Sequence, residues 1–138
     1  MNGPFVVDSS VALTWLFPDE ITPRTEELFH RITSQTFVVP DWWFVELTNV
    51  MAVAEKKGRI TAEHSSGFIA DLSAFDIDID TAASSRAFAH LLPLCRAHGL
   101  TSYDAIYLDL ALRRQLPLAT LDQALRKAAK KAGVKVLG

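Results

Sequence analysis

Apolar positions along this chain come in two rhythms. Short unbroken runs alternate with longer stretches in which apolar residues recur every three or four positions. Pro4-Phe5-Val6-Val7 is the first short run, too brief for a helix and rich in residues that suit a buried strand, and it stops at Asp8. Asp8-Ser9-Ser10 then supplies helix-capping chemistry ahead of Val11 to Leu16, and Pro18 ends that helix. Thr22-Pro23 opens a second helix that reaches about Ser34, Phe37-Val38-Val39 forms the next strand, and Pro40-Asp41 starts a long helix closing at Lys56-Lys57-Gly58. A helix follows from Thr61 to about Ala74. Phe75 to Ile79 alternates like a strand with one wet face, which leaves Asp76, Asp78 and Asp80 in solvent. Helices at Thr81 to His98 and Ser102 to Arg114, a strand at Leu116 to Thr120, a helix at Leu121 to Ala132 and a strand at Val134 to Leu137 complete the pattern.

Strands this short and apolar, separated by helices, predict an α/β sandwich around a parallel sheet of four to five strands. In such sheets ligands bind beyond the carboxyl ends of the strands, so the residues just after each strand matter most. The chain has 138 residues, which fits a single domain, residues 1–138, and it shows no repeat, linker or low-complexity segment. With 49% hydrophobic and 22% charged residues it can bury a substantial core. Its first residues lack the basic flank and the length of a signal peptide, no apolar stretch nears the roughly 18 residues of a membrane span, and a lone Cys95 can form no internal disulfide. These features predict a cytoplasmic protein.

The net charge is −2, and its distribution says more than its sum. Seven basic and fifteen acidic residues precede Arg113, whereas seven basic residues and one acidic residue occupy the rest. The basic tail is either a solvated helix face or a patch turned toward RNA, with Arg113, Arg114, Arg126 and Lys127 as the contacts in the second case.

Four carboxylates stand out by position: Asp8, Glu46, Asp104 and Asp122. Asp8 has a structural explanation as a helix cap, Asp122 as a first-turn residue favoured by the helix dipole, and Thr101-Ser102-Tyr103-Asp104 matches a capping box. Glu46 has no such explanation. It lies more than a turn inside its helix, with Trp42, Trp43 and Val50 as apolar neighbours at helical spacing and no Lys or Arg nearby until Lys56. Asp8, Asp122 and Glu46 all follow strands, so a parallel sheet gathers them at one edge; Asp104 follows a helix, and periodicity does not place it. Carboxylates about 4 Å apart repel by roughly 4 kcal/mol per pair at an effective dielectric near 20, so such a cluster calls for protons or cations. Hard oxygen donors select Mg²⁺ or Mn²⁺.

Four segments, Phe5-Val6-Val7-Asp8-Ser9-Ser10-Val11-Ala12, Glu46-Leu47-Thr48-Asn49-Val50, His98-Gly99-Leu100-Thr101-Ser102-Tyr103-Asp104-Ala105 and Leu118-Ala119-Thr120-Leu121-Asp122, closely resemble the signature segments of PIN domains in VapC toxins. The resemblance spans nearly the whole chain. It implies a three-layer PIN-like sandwich and a metal-dependent endoribonuclease whose Asp8, Glu46, Asp104 and Asp122 hold Mg²⁺. Ser9 and Thr120 would be hydroxyl helpers, and Asn49 a supporting residue behind them. It also implies placement of Asp104 at the sheet edge, inhibition by a VapB-type antitoxin, and a homodimer.

Other features point less far. His30, His64, His90 and His98 share no zinc-ligand spacing and suit surface or core roles. Trp15, Trp42, Trp43 and Phe44 could stack bases, but they suit the core or a partner groove better. Two rival classes remain. A receiver-like phosphoacceptor also puts acids at the edge of a parallel sheet, but here the acidic pair expected after the first strand is Asp8-Ser9. A PIN-like module that only binds would be expected to have lost part of the quartet.

Overall fold

A computed structural model describes residues 3–138. The chain enters the core as β1 (Val6–Val7), turns at Asp8 and continues as α1 (Ser9–Leu16). A short 3₁₀ turn, Pro18–Glu20, leads to α2 (Pro23–Ile32), whose start is a full capping box between Thr22 and Thr25. Then come β2 (Phe37–Pro40), α3 (Trp42–Lys56), α4 (Ala62–Ser73) and β3 (Ile77–Asp80).

The expected helix from Thr81 to His98 is realised as α5 (Ala83–Arg86), a π turn at Ala87–Leu91 and α6 (Leu92–His98). Pro93 explains the interruption, because it has no N–H to donate and its ring crowds the preceding turn. Gly99, with φ of 64°, closes α6 in the left-handed conformation that glycine adopts without strain. The chain ends with α7 (Ser102–Arg114), β4 (Leu118–Ala119), α8 (Gln123–Lys131) and β5 (Val136–Leu137).

All five strands lie in one parallel sheet in the order β3-β2-β1-β4-β5. The chain therefore builds outward from β1 through β2 to β3, then crosses back to start the other half beside β1. Right-handed crossovers in opposite directions place helices on opposite faces. The helices do form two groups, one packed around α1 and the other around α7. The point where the direction reverses lies between β1 and β4, and in open parallel sheets that is where ligands bind. This strand order differs from the 2-1-3-4-5 order of receiver domains, which removes the phosphoacceptor alternative.

The core fills both faces of the sheet, with Phe5, Phe37, Trp43, Tyr107, Leu118 and Leu125 at 1% exposure or less. Side chains of this size contribute about 1.5–3 kcal/mol each when fully buried. No helix among the described residues is long and apolar enough to cross a membrane.

One expectation is overturned. Asp76 is exposed as foreseen, but Asp78 is half-buried and Asp80 is 6% exposed, while Ile79 points outward at 47%. The reason lies 33 residues away, where Arg113 places both terminal nitrogens 2.9 Å from the two Asp80 oxygens. Arg114 reaches Asp80 and Asp78, and Arg86 grips the nearly buried Asp109 in the same two-pronged way. Paired guanidinium groups make burial of these carboxylates tolerable.

Candidate active site

Asp8 ends β1 and caps α1. One carboxylate oxygen accepts from the Val11 N–H at 3.2 Å and from the Ser10 hydroxyl at 2.6 Å, and the other accepts from the Thr120 hydroxyl. Thr120 follows β4 and is fully buried; its hydroxyl also receives the Asp122 N–H at 3.1 Å. The register of β1 with β4, Val6 opposite Leu118 and Val7 opposite Ala119, puts Asp8 level with Thr120. The two strand ends on either side of the switch point are thus laced together.

Glu46 comes to this edge from α3. It sits on the margin of the buried stripe made by Trp43, Leu47 and Met51. Ser9 donates to one of its oxygens at 3.3 Å, and the Tyr107 hydroxyl donates to the other. Asp104 lies in the first turn of α7, where Thr101 caps its N–H at 3.2 Å. The Asp104 side chain does not return that bond to complete a capping box; it faces Asp122. Asp122 occupies the N-cap position of α8 and likewise makes no cap hydrogen bond. Capping chemistry therefore accounts for Asp8 in part and for neither Asp104 nor Asp122.

The electrostatics follow from burial without a counter-charge. Asp8 is 4% exposed, and burial pushes its carboxyl up from the ordinary 3.8 to about 6 against the pull of its hydrogen bonds to Ser10, Thr120 and Val11, with the Glu46 charge adding to the rise. Burial also raises Glu46, offset by its bonds from Tyr107 and Ser9, and the Asp104 charge raises it further. Asp104 is raised first by burial, then by the Asp122 charge and by a hydrogen bond that only its protonated form can donate. The coupling runs as a chain from Asp8 to Glu46 to Asp104 to Asp122. Among the described residues no Lys, Arg or His forms an ion pair with any of the four.

This donor set suits a hard divalent cation: every donor is oxygen, and the raised carboxyls would be relieved by positive charge. Among the described residues no three His, Cys, Asp or Glu side chains converge as a ready-made cage. That is compatible with Mg²⁺, which takes one or two carboxylates directly and keeps several waters.

Of the supporting residues expected from the sequence, Ser9 and Thr120 make the contacts described, whereas Asn49 is exposed and bonded to none of the four. Arg113 and Arg114 spend their charge on Asp78 and Asp80. Arg126 is half-buried and donates to the Thr120 carbonyl at 2.8 Å, and Lys127 is exposed.

Two residues escaped sequence reasoning. Ser10 donates to Asp8 and accepts the Leu121 N–H at 2.9 Å, joining the two strand ends a second time. Tyr107 is 1% exposed, and its hydroxyl is raised well above its ordinary range by burial and by the Glu46 charge. Its spacing of three from Asp104 on a helix was the signal that could have found it, because such residues share a face.

Solved structures with this fold include PAE2754 from Pyrobaculum aerophilum, at 21% identity and TM-score 0.70 over 99% of this chain and 85% of that one. VapBC2 from Rickettsia felis, solved bound to a DNA fragment from its promoter, matches at 14% and 0.68 over 96% of each chain. FitAcB from Neisseria gonorrhoeae matches at 16% and 0.64 over 97% and 96%. No curated protein matches. The sequence profile of the PIN domain matches residues 5–131, which takes in all four carboxylates, and the chain belongs to the PIN-domain family.

Proposed function

We propose that this protein is a metal-dependent endoribonuclease, a VapC-like toxin neutralised by a cognate antitoxin. The observation that carries the reading is the run of four electrostatically coupled carboxylates, free of basic partners, at the switch point of the sheet. PIN domains are generally nucleases, and a further structural relative, from Klebsiella pneumoniae, is a toxin–antitoxin complex, which supports the same reading.

Asp8, Glu46, Asp104 and Asp122 would hold Mg²⁺ or Mn²⁺. The ion, when bound, supplies positive charge to the phosphodiester and acidifies a water for in-line attack on phosphorus. The chain's own residues prepare that site. Thr120 and Ser10 fix the Asp8 carboxylate so that it cannot rotate away, and Ser9 and Tyr107 hold Glu46 by both oxygens. The buried floor of β1 and β4 keeps bulk water from screening the charges.

An antitoxin would silence the site by setting an apolar anchor beside it and an Arg or Lys among the carboxylates, where its charge replaces that of the ion. The protein would act in the cytoplasm, as a homodimer of single-domain chains. The test is cleavage of labelled RNA by the purified protein. Activity in Mg²⁺ or Mn²⁺ that vanishes in EDTA is expected, and robust cleavage in EDTA overturns the metal mechanism.

A further inference from the structure

Trp42 and Tyr103 border the acidic cluster without belonging to it. Trp42 stands one helical turn before Glu46 on α3, and Tyr103 directly precedes Asp104 on α7. Their rings lie parallel, 5.1 Å between centroids and 10° between planes. Every other aromatic pair among the described residues meets edge-on, at 61–89°. Both arrangements are favourable, but a parallel pair leaves a flat outer face that a third ring can extend. Tyr103 is 52% exposed although one of its faces rests on Trp42, so the exposure belongs to the opposite face and the hydroxyl edge. Of the aromatic run Trp42-Trp43-Phe44, Trp43 is in the core, Phe44 leans edge-on against it, and Trp42 alone backs an open ring.

We infer that the outer face of Tyr103, backed by Trp42, is a stacking platform for an unpaired RNA base next to the phosphodiester held at the carboxylates. This deepens the ribonuclease reading and rests on it. Beyond the one phosphodiester that the ion would hold, this edge pairs no basic side chain with its carboxylates among the described residues, so a strand is better held there by its bases than by its backbone. Every base has a π face, so the platform selects unpaired over duplex RNA more than it selects sequence. A base in a duplex is already stacked on both sides and cannot reach it. Stacking of one base on an aromatic side chain is worth about five- to 150-fold in affinity.

The experiment is steady-state cleavage of a labelled single-stranded RNA in Mg²⁺ by wild type, Tyr103→Phe, Tyr103→Leu and Tyr103→Ala, with Mg²⁺-induced thermal shifts measured on the same proteins. Tyr103→Phe keeps the face, and Tyr103→Leu keeps the bulk against Trp42 without it. The expected result is a KM raised about tenfold in the Leu and Ala variants with kcat within about threefold, a Phe variant within about twofold of wild type, and equal Mg²⁺ shifts in all four. A wild-type KM in the Leu variant overturns the platform while leaving the ribonuclease reading intact. A Phe variant as impaired as Ala assigns the effect to the hydroxyl and overturns it equally. If wild type cleaves no RNA in either metal, the ribonuclease reading falls and takes the platform with it. An unchanged KM combined with lost neutralisation by a co-expressed antitoxin gives the face to a protein partner and overturns the inference.

Discussion

Asp8 and Asp80 end two strands of the same sheet at the same level, since Val6 pairs with Val38 and Asp80 with Pro40. They are almost equally buried, at 4% and 6% exposure. Yet Asp8 is pushed up to about 6, whereas Asp80 is drawn down to about 2, first by its hydrogen bonds from Arg113. Burial raises both; at Asp8 it outweighs the hydrogen bonds, whereas at Asp80 the Arg113 guanidinium outweighs it. Asp80 receives two guanidinium groups, and Asp8 receives two hydroxyls and one amide. Charge at Asp80 is spent inside the fold, tying β3 to α7. Charge at Asp8 is left over, which is what the proposed cation site requires.

The largest expected effect breaks the comparison at its functional end. Asn caps a helix about as well as Asp, so Asp8→Asn should leave the metal-free protein as stable as wild type or more so. RNA cleavage in Mg²⁺ should nevertheless fall at least about 100-fold, the upper range for losing a group that merely supports a metal ligand. Cleavage rate and unfolding in EDTA, measured on one preparation, check both halves, and cleavage within about threefold of wild type would return Asp8 to a capping role.

The opposite shifts also predict opposite pH dependences. Asp80 has a lowered carboxyl, so its contribution is present above the ordinary 3.8 and is lost as pH falls toward 2, by about 1–2 kcal/mol after allowing for the partly exposed arginines. Asp8 has a raised one, so the fold favours its protonated form. That contribution is present below 3.8 and is lost as pH rises through about 6, on the order of 2–3 kcal/mol. Urea unfolding in EDTA from pH 2.5 to 7 should therefore give difference curves of opposite slope, wild type minus Asp80→Asn below pH 4 and wild type minus Asp8→Asn between pH 4 and 6. Parallel curves would refute the contrast.

Arg113→Ala makes Asp80 more like Asp8. With Arg114 still in place, the loss should be about 2 kcal/mol rather than the 3–5 kcal/mol of a fully orphaned buried charge. Denaturation at pH 7 measures it, and RNA cleavage at a permissive temperature should survive. The smallest effect sharpens the other side. Tyr107→Phe removes one donor from Glu46 and should weaken Mg²⁺ binding by about tenfold, read as a reduced Mg²⁺-induced thermal shift. An unchanged shift would make the Tyr107 hydroxyl a packing detail.

Much of this was legible in residue order alone. The short runs at Pro4 to Val7, Phe37 to Val39 and Leu116 to Thr120 announced buried parallel strands, because strands covered on both faces read as near-continuous apolar runs, and strands form within them at Val6–Val7, Phe37–Pro40 and Leu118–Ala119. Asp8 and Asp122 after strands, and Glu46 stranded on an apolar helix face, marked the candidate site through strand-end position and unpaired charge. Strand order and the switch point between β1 and β4 came only with the tertiary structure, and the meeting of Asp104 with Asp122 was signalled by the PIN resemblance but not by periodicity, since local order carries no information about which elements become neighbours. For the same reason Asp78 and Asp80 resembled solvated acids until Arg113 and Arg114, more than thirty residues on, closed over them. Sequence by itself determined which side chains carry charge and which elements they sit on; the fold decided which charges are cancelled, because Coulombic pairing depends on separation in space and on exclusion of water, and neither is written in local order.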